Sequence, residues 1–273
     1  MRTTERPEII SEVFGDPANP PLLLIMGAMA SMLWWPEAFC RKLAGAGLFV
    51  IRYDNRDTGR STKSKPGEPP YTFDDMADDA MHVLDDHGIG KAHVVGMSMG
   101  GMIAQLVALK HPSRVVSLTV ISSSPVGIDT SGLPGTTEAY MEHSAEGAKV
   151  DWSDRGQVVD FIVRDARAIA STTHSFDAAG IRAFVEQDYD RSGGFLSATN
   201  HFMLKGGAAA GHSRHGGSDL SGRTRRGAGR DGHRRKTHSH RRWRPRAASG
   251  RLGRDVRSDH RACPSRLKQH RLV

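Results

Sequence analysis

The stretch "VVGMSMGGMIAQLVAL", Val94–Leu109, decides how the rest of the chain is interpreted. It joins a short apolar run, typical of a buried strand, to a longer apolar pattern that is typical of a helix. The join contains G-M-S-M-G, which matches the G-x-S-x-G pattern and centres on Ser98. This pattern predicts a sharp turn with small flanking residues and a serine side chain that stands at the carboxyl end of the strand. The helix N-terminus favours a developing negative charge there. The alternative is a close-packed glycine turn without chemistry.

Apolar runs and helical patterns alternate on both sides of this turn. The runs "PPLLLIMG", "LFVIRYD" and "VVSLTVISSSP" begin at Pro20, Leu48 and Val115 and predict buried strands. "WPEAFCRKLAGAG" predicts a helix with Phe39 on its apolar face, and "TFDDMADDAMHVLDDHGIG" predicts one with Thr72 as N-cap. This alternation predicts an α/β fold in which a parallel sheet carries helices on both faces.

The pattern changes twice along the chain. Residues 1–130 read as the first part of an α/β core, whereas residues 131–204 contain only helical patterns, such as "DRGQVVDFIVRDARAIA", and predict a helical cap. From residue 205 onward neither period is present, and residues 205–273 predict a disordered basic tail.

The tail differs from the preceding part of the chain in net charge. Residues 211–273 contain 19 Lys and Arg and four Asp, a net charge of +15, whereas residues 1–210 contain 19 basic and 26 acidic residues, a net charge of −7. The tail therefore predicts weak, salt-sensitive binding of polyanions. Its one aromatic residue, Trp243, supplies too little base stacking for specific nucleic-acid binding.

Composition also limits the class of protein. The two cysteines, Cys40 and Cys263, predict neither a disulfide framework nor a metal cluster. The start "MRTTERPEII" lacks the apolar core of a secretory signal, and no apolar run has the length of a membrane span. These features predict a cytoplasmic protein without a membrane span, and they carry no signal for an oligomeric state.

Three motifs together resemble the α/β-hydrolase family. "LLLIMGAM", "VIRYDNRDTGRST" and "HVVGMSMGG" occur in the family's order and spacing, and the resemblance extends over residues 8–204. Within the family, the chain is similar to the branch of aclacinomycin methylesterase and related esterases. Proline iminopeptidases, epoxide hydrolases and haloperoxidase-like enzymes share the same frame, so the substrate remains open.

The resemblance implies a serine esterase mechanism without metal or cofactor. Ser98 would be the nucleophile that forms an acyl-enzyme with a small carboxylic ester, lipid-like or polyketide-like. The backbone N–H groups of Ala28 and Met99 would bind the oxyanion, and Gly96 and Gly100 would shape the turn. Each such donor typically contributes roughly 3 kcal/mol to transition-state stabilisation. A ligand-binding relative without turnover is the alternative.

Other polar and aromatic residues near these motifs have structural interpretations. In relatives the loop "DNRDTGRS" is structural, and the resemblance implies that Asp54, Arg56 and Arg60 tie loops beneath the site. Trp34 and Trp35 could form the wall of an acyl pocket, but they fit core or cap packing equally well.

The acid and the base of a catalytic triad are not identified. Asp85–His87 lie near a predicted helix end and predict a solvated face, and His143, His174 and His201 are interpreted as surface or packing residues. The family places its acid in a turn after a later strand and its histidine in a glycine-rich loop. Neither pattern appears after Leu204. The last strands and the last helix of the fold are therefore also predicted to be missing.

The tail composition indicates a change of reading frame. Back-translation of "HRRWRPRAAS", which begins at His240, and removal of one base can give I-D-G-G-G-H-E-L-P. The same shift applied to "GHSRHGGSD", which begins at Gly211, can give V-I-H-G-T-A-D-P. From Ser249 onward it can give an amphipathic helix. These are an acid turn, a histidine loop and a last helix in family order, so the frame is predicted to change near residues 208–211.

We therefore expect an insertion or deletion near codon 210 of the gene. Resequencing from codon 195 to the stop codon tests this expectation. An in-frame product that encodes H-G-T-A-D-P and G-G-G-H-E would restore the missing acid and base. If the printed frame stands, the chain is a hydrolase fragment with an off-frame tail.

Overall fold

The computed structural model describes residues 6–129, 132–133 and 135–204. The chain divides into two units, Met1–Gly217 and Ser218–Val273, and all described residues belong to the first. The predicted basic tail, the back-translated acid and histidine motifs, and Cys263 therefore lie outside the described residues.

A five-stranded sheet with the spatial order β1-β3-β2-β4-β5 forms the framework. Neighbours among β2 to β5 are parallel, which confirms the predicted sheet, whereas β1 runs antiparallel to β3. Sequence reasoning missed β1 because its four residues bury only Phe14. The strands are β1 (Ser11–Phe14), β2 (Pro21–Ile25), β3 (Phe49–Tyr53), β4 (Ala92–Met97) and β5 (Val115–Ile121).

Three helices cover the two faces of this sheet. They are α1 (Glu37–Gly45), α2 (Phe73–Asp86) and α3 (Met99–Lys110). Helix α2 begins as predicted, because the Thr72 hydroxyl accepts from the Asp75 N–H while the Asp75 carboxylate accepts from the Thr72 N–H. The predicted apolar face of α1 is partly wrong, since Phe39 is 41% exposed and stacks on Trp35.

The core lies on both sides of the sheet because successive strand residues point to opposite faces. Leu23 and Ile25 of β2 pack with α2 and α3, whereas Leu22 and Leu24 pack with α1 and Trp35. Full burial of each such side chain contributes about 1.5–3 kcal/mol. The central strands therefore fix where β4 ends and where the predicted serine turn lies.

The prediction that the run beginning at Val115 is a buried strand is wrong in the described part of the chain. Strand β5 forms, but Val116, Leu118 and Val120 are 38–49% exposed. The reason is its position, since β5 pairs with β4 and is an edge strand among the described residues. An apolar strand sequence specifies the strand, but its burial requires a neighbour on each side.

The regular secondary structure among the described residues from 138 to 204 is helical. They form α4 (Glu138–Glu146), α5 (Arg155–Ala168), α6 (Ala178–Ser192) and a 3₁₀ helix, Ser197–Met203. Val158 and Val159 of α5 pack against Val185 of α6 and Phe195 in a small separate core. The loop residues Met29 and Trp34 also contact this core, so the helical region lies against the first loop of the sheet domain.

Helix α6 is attached to the sheet domain by two polar side chains one turn apart. Asp188 is fully buried and accepts from Ser31 Oγ at 2.6 Å and from Trp34 Nε1 at 3.0 Å. Burial raises the pKa of Asp188, and these donors offset the effect in part. Arg191 donates two N–H bonds to the fully buried Asp54, at 2.8 and 3.2 Å.

We expect Arg191→Met to lower the free energy of unfolding by about 3–5 kcal/mol, because it leaves the Asp54 carboxylate buried without its cation. Arg182→Met is the matched control on the same helix. Arg182 pairs with Asp160, and both side chains are about half exposed, so its loss should cost less than about 1 kcal/mol. Urea unfolding followed by tryptophan fluorescence measures both, and equal losses would contradict the assignment of the attachment to Arg191.

Candidate active site

Ser98 is the single residue between β4 and α3. Its backbone has φ 53° and ψ −123°, a region that side chains other than glycine rarely adopt and that costs about 1–3 kcal/mol. The Ser98 N–H donates to the Ile121 carbonyl of β5 at 2.9 Å, and its own carbonyl accepts from the Gly101 N–H at 2.9 Å. The backbone is therefore held on both sides, and the side chain is exposed.

The glycines of the G-x-S-x-G motif are required by close backbone contacts. A Cβ on Gly96 would overlap the carbonyl group of Gly100, and a Cβ on Gly100 would overlap the carbonyl oxygen of Ile25 at the end of β2. The first turn of α3 thus lies directly on the ends of β4 and β2. Any side chain at either position would push this helix away from the sheet.

One edge of the Ser98 turn is the N-terminus of α3. Met99 is the first residue of this helix, where backbone N–H groups have no acceptor within the helix. No described residue accepts a hydrogen bond from the Met99 N–H. Together with the helix dipole, this free donor makes the turn suitable for an anionic group.

The other edge is the loop that follows β2. A Cβ built on Gly27 would lie 3.1 Å from Ser98 Cβ and 3.6 Å from Ser98 Oγ, so the loop passes directly beside the serine. Two groups of this loop have buried partners: the Met26 carbonyl accepts from Asn55 Nδ2 at 3.0 Å, and the Met29 N–H donates to His201 Nδ1 at 3.0 Å. The N–H of Ala28, between them, has no acceptor among the described residues.

The polar loop that follows β3 is held to neighbouring segments by the Asp54 carboxylate and the Arg56 guanidinium. Asp54 accepts from the N–H groups of Met32 and Arg60, at 2.8 and 3.0 Å, in addition to the Arg191 side chain. Arg56 donates two bonds to Asp79, at 2.6 and 2.8 Å. The side chain of Arg60 is exposed, so this residue ties the loop through its backbone alone.

The two tryptophans have different positions. Trp35 is 3% exposed and belongs to the core beside α1. Trp34 donates to Asp188, meets Phe184 edge-on at 5.0 Å and lines a cavity of about 310 Å³ at the cap. The cavity is walled mainly by apolar side chains, among them Ile169, Phe176 and Ile181, with His174 at its side.

No described histidine forms a hydrogen bond with Ser98, whose Oγ has no bonded partner in the described ranges. Other side chains bind most of the described histidines: Ser11 binds His87, Ser117 binds His93, Asp78 binds His111 and Asp165 lies against His143. Asp85 and Asp86 are exposed and pair with Arg114 and Arg6. The absence of a triad acid and base from this chain remains a prediction, because residues 205–273 lie outside the described ranges.

His201 is the residue that sequence reasoning missed most clearly. Sequence analysis predicts a surface or packing residue rather than a base, and the 3% exposure agrees with packing, but the hydrogen bonds of both ring nitrogens to the backbone of Met29 and Arg56 are not predicted. Asn55, which binds the Met26 carbonyl, was also not singled out. No periodic pattern marks either residue, because both act through backbone groups far away in sequence.

Two other kinds of site are absent from the described part of the chain. It contains no group of three or more His, Cys, Asp or Glu side chains that could hold a metal ion. Its helices are all too short or too polar to cross a bilayer.

Comparison with known proteins identifies the fold. Residues 20–147 match the family model of the alpha/beta hydrolase fold, a segment that includes Ala28, Ser98 and Met99. The chain is 42% identical over 156 residues to rhodomycin D methylesterase DnrP of Streptomyces peucetius, covering 52% of each chain. It is 49% identical over 129 residues to rhodomycin D methylesterase DauP of Streptomyces sp. strain C5, covering 47% of this chain and 43% of that protein. The chain thus spans about half the length of these relatives.

Solved structures agree on the fold. The esterase RhEst1 from Rhodococcus sp. ECU1013 superposes with a TM-score of 0.57 at 20% identity, over 74% of this chain and 71% of that chain. A carboxylesterase structure from Nitrososphaera gargenis gives a TM-score of 0.54 at 22% identity, over 74% and 71%. The chain has the α/β-hydrolase fold, and its resemblance to the methylesterase branch is confirmed.

We expect Gly100→Ala to destabilise the fold by several kcal/mol, because its Cβ would overlap a backbone carbonyl that cannot move without shifting β2. Gly45→Ala is the control, since a Cβ there meets no atom within 4 Å and the residue is helical. The control should change stability by no more than about 1 kcal/mol. Thermal unfolding compares the two variants, and a Gly100→Ala protein with unchanged stability would contradict the close packing of α3.

Proposed function

We propose that the chain derives from a serine hydrolase of carboxylic esters in which Ser98 is the nucleophile. The observation that carries the proposal is the backbone of Ser98. A strained non-glycine residue holds its hydroxyl exposed at a helix N-terminus, and strain of this kind is characteristic of functional sites. The free N–H groups of Ala28 and Met99 lie on the two sides of this turn and support an oxyanion hole.

The proposed reaction has two steps. Ser98 Oγ attacks the ester carbonyl and gives up its proton to a general base, and the oxyanion accepts hydrogen bonds from Ala28 and Met99. Collapse of this intermediate releases the alcohol and leaves an acyl-serine, which water then hydrolyses to the acid. No metal or cofactor is needed.

This chain is proposed to be impaired because its general base is not supplied. Loss of the base or of the serine costs roughly a millionfold in kcat in subtilisin, and what remains comes from the oxyanion hole and binding. The same reaction is therefore expected to run slowly here, unless another base replaces the missing histidine. A ligand binder without turnover is the second candidate, favoured by the lack of any hydrogen-bond partner for Ser98 Oγ among the described residues.

The proposed substrate is a small ester of a hydrophobic acid. The two sequence relatives described above, DnrP and DauP, are named rhodomycin D methylesterases, which supports a lipid-like or polyketide-like ester. A cytoplasmic location is proposed because the two cysteines, Cys40 and Cys263, fit a reducing compartment.

Covalent labelling with a fluorophosphonate probe tests the nucleophile. We expect slow labelling of the full chain, and a marked increase when neutral imidazole is added to take the place of the missing base. Ser98→Ala should abolish labelling both with and without imidazole. Ser124→Ala is the control, because Ser124 is exposed and contributes only its backbone carbonyl to the described hydrogen bonds.

Mass spectrometry of the labelled peptide identifies the modified residue. Labelling that persists in Ser98→Ala, or a folded wild-type chain that remains unlabelled even at high imidazole, would overturn the nucleophile. In the second case, thermal stabilisation by an ester ligand without hydrolysis would support the ligand binder.

A further inference from the structure

His201 joins three distant parts of the chain at the candidate oxyanion turn. It lies in the 3₁₀ helix Ser197–Met203, and its ring reaches the backbone of Met29 and the backbone of Arg56. We infer that His201 is a positioning residue that holds the Ala28–Met29 turn, so that the Ala28 N–H stays aimed beside Ser98. This inference rests on the proposed function.

The hydrogen bonds determine the protonation of the ring. The Met29 backbone nitrogen can only donate, so Nδ1, at 3.0 Å, must be an unprotonated acceptor. The Arg56 carbonyl oxygen can only accept, so Nε2, at 2.7 Å, must carry the proton. The ring is therefore the neutral Nε2–H tautomer. Since both nitrogens are occupied, His201 cannot take the proton of Ser98.

The turn requires a restraint because its backbone is strained. Met29 has φ 62°, in the left-handed region where a side chain costs roughly 1–2 kcal/mol. Asn55 restrains the turn at the Met26 carbonyl, and His201 restrains it at the Met29 N–H. Because the Met29 N–H is occupied, Ala28 is left as the free donor next to Gly27, which lies against Ser98.

The surroundings keep His201 neutral. Burial lowers the pKa of His201 below its ordinary value of 6.5, against smaller opposing effects from the hydrogen bond to Arg56 and from the Asp57 carboxylate. Asp57 is itself occupied by Tyr71 and Asn200, and the Arg56 guanidinium is paired with Asp79. Protonation would place an Nδ1–H against the Met29 N–H and break that bond.

The stability that His201 contributes to the fold depends on pH. Because the folded-state pKa is depressed, the unfolded chain binds the proton more readily as the pH falls below 6.5. The stability that His201 contributes is complete above pH 6.5 and is lost as the pH falls toward its folded-state pKa. Within the folded chain, the restraint of the turn is lost only when the pH reaches the folded-state pKa of His201, which lies below 6.5.

Two substitutions each keep one of the two His201 hydrogen bonds and remove the other. In His201→Asn, the amide oxygen takes the place of Nδ1 and can still accept from Met29, but the side chain is too short to reach Arg56. In His201→Gln, the amide nitrogen takes the place of Nε2 and can still donate to Arg56, but the acceptor for Met29 is lost. His143→Asn is the control, since His143 is a poorly exposed histidine of the cap that contacts Asp165 instead.

The experiment measures the imidazole-assisted rate of fluorophosphonate labelling at Ser98 and the hydrogen exchange of the peptide that contains Met29, on the full chain. We expect His201→Gln to lose exchange protection at Met29 and to label about tenfold or more slowly, which is less than the effect of removing an oxyanion donor outright. His201→Asn should retain both properties. Its labelling should also lack the decline that the wild type shows relative to it as the pH approaches the depressed folded-state pKa of His201.

Several outcomes would overturn the inference. Equal losses in the Asn and Gln variants, or a Gln variant that labels like His143→Asn, would reduce His201 to a structural residue. If hydrogen exchange at Met29 remains equally protected in the Gln variant, the His201 hydrogen bond does not restrain the turn. If the wild type is protected at Met29 but never labels at Ser98, the proposed function fails, and this result is distinct because the hydrogen bond would still be observed.

Discussion

The left-handed backbone of Ser98 is the constraint on which the rest of the structure depends. A non-glycine residue remains in that conformation only where its neighbours impose it. Here the first turn of α3 lies against the carbonyl ends of β4 and β2, at a distance that only glycine permits at positions 96 and 100. The parallel order of the central strands brings the loop after β2 to the same edge. The hydroxyl and the two candidate donors thus meet because of sheet topology.

The helical region is attached to this edge by buried polar groups. Asp188 and Arg191 of α6 reach Ser31, Trp34 and Asp54, all of which belong to loops that follow β2 or β3. Polar contacts of this kind are directional, so they fix where the helix lies more narrowly than apolar packing alone. The cavity beside Trp34 is also lined by the end of α5, by the loop that follows it and by the start of α6, so Asp188 and Arg191 hold one of its walls in place.

Local patterns were sufficient to predict the turn and the elements around it. The Ser98 motif, the Thr72 cap and the central strands follow from short-range chemistry, and their structures agree with the predictions. The features that sequence analysis does not predict are contacts between residues far apart in sequence. The burial of β5 depends on a neighbour that its own sequence cannot specify, and the partners of His201 and Arg191 are more than a hundred residues away. A buried polar residue in an irregular segment leaves no periodic pattern in the sequence, so its hydrogen-bond partners can be identified only from the structure.

The hydrogen bond from the Ser98 N–H to the Ile121 carbonyl links the serine turn to the local stability of β5. It joins the strained backbone of Ser98 to β5, an edge strand of the described sheet whose Val116, Leu118 and Val120 are partly exposed. Strands with few buried contacts open locally at a lower free energy than the core. When the end of β5 opens locally, Ser98 loses one of its restraints, so the strained backbone of Ser98 is linked to the local stability of this strand.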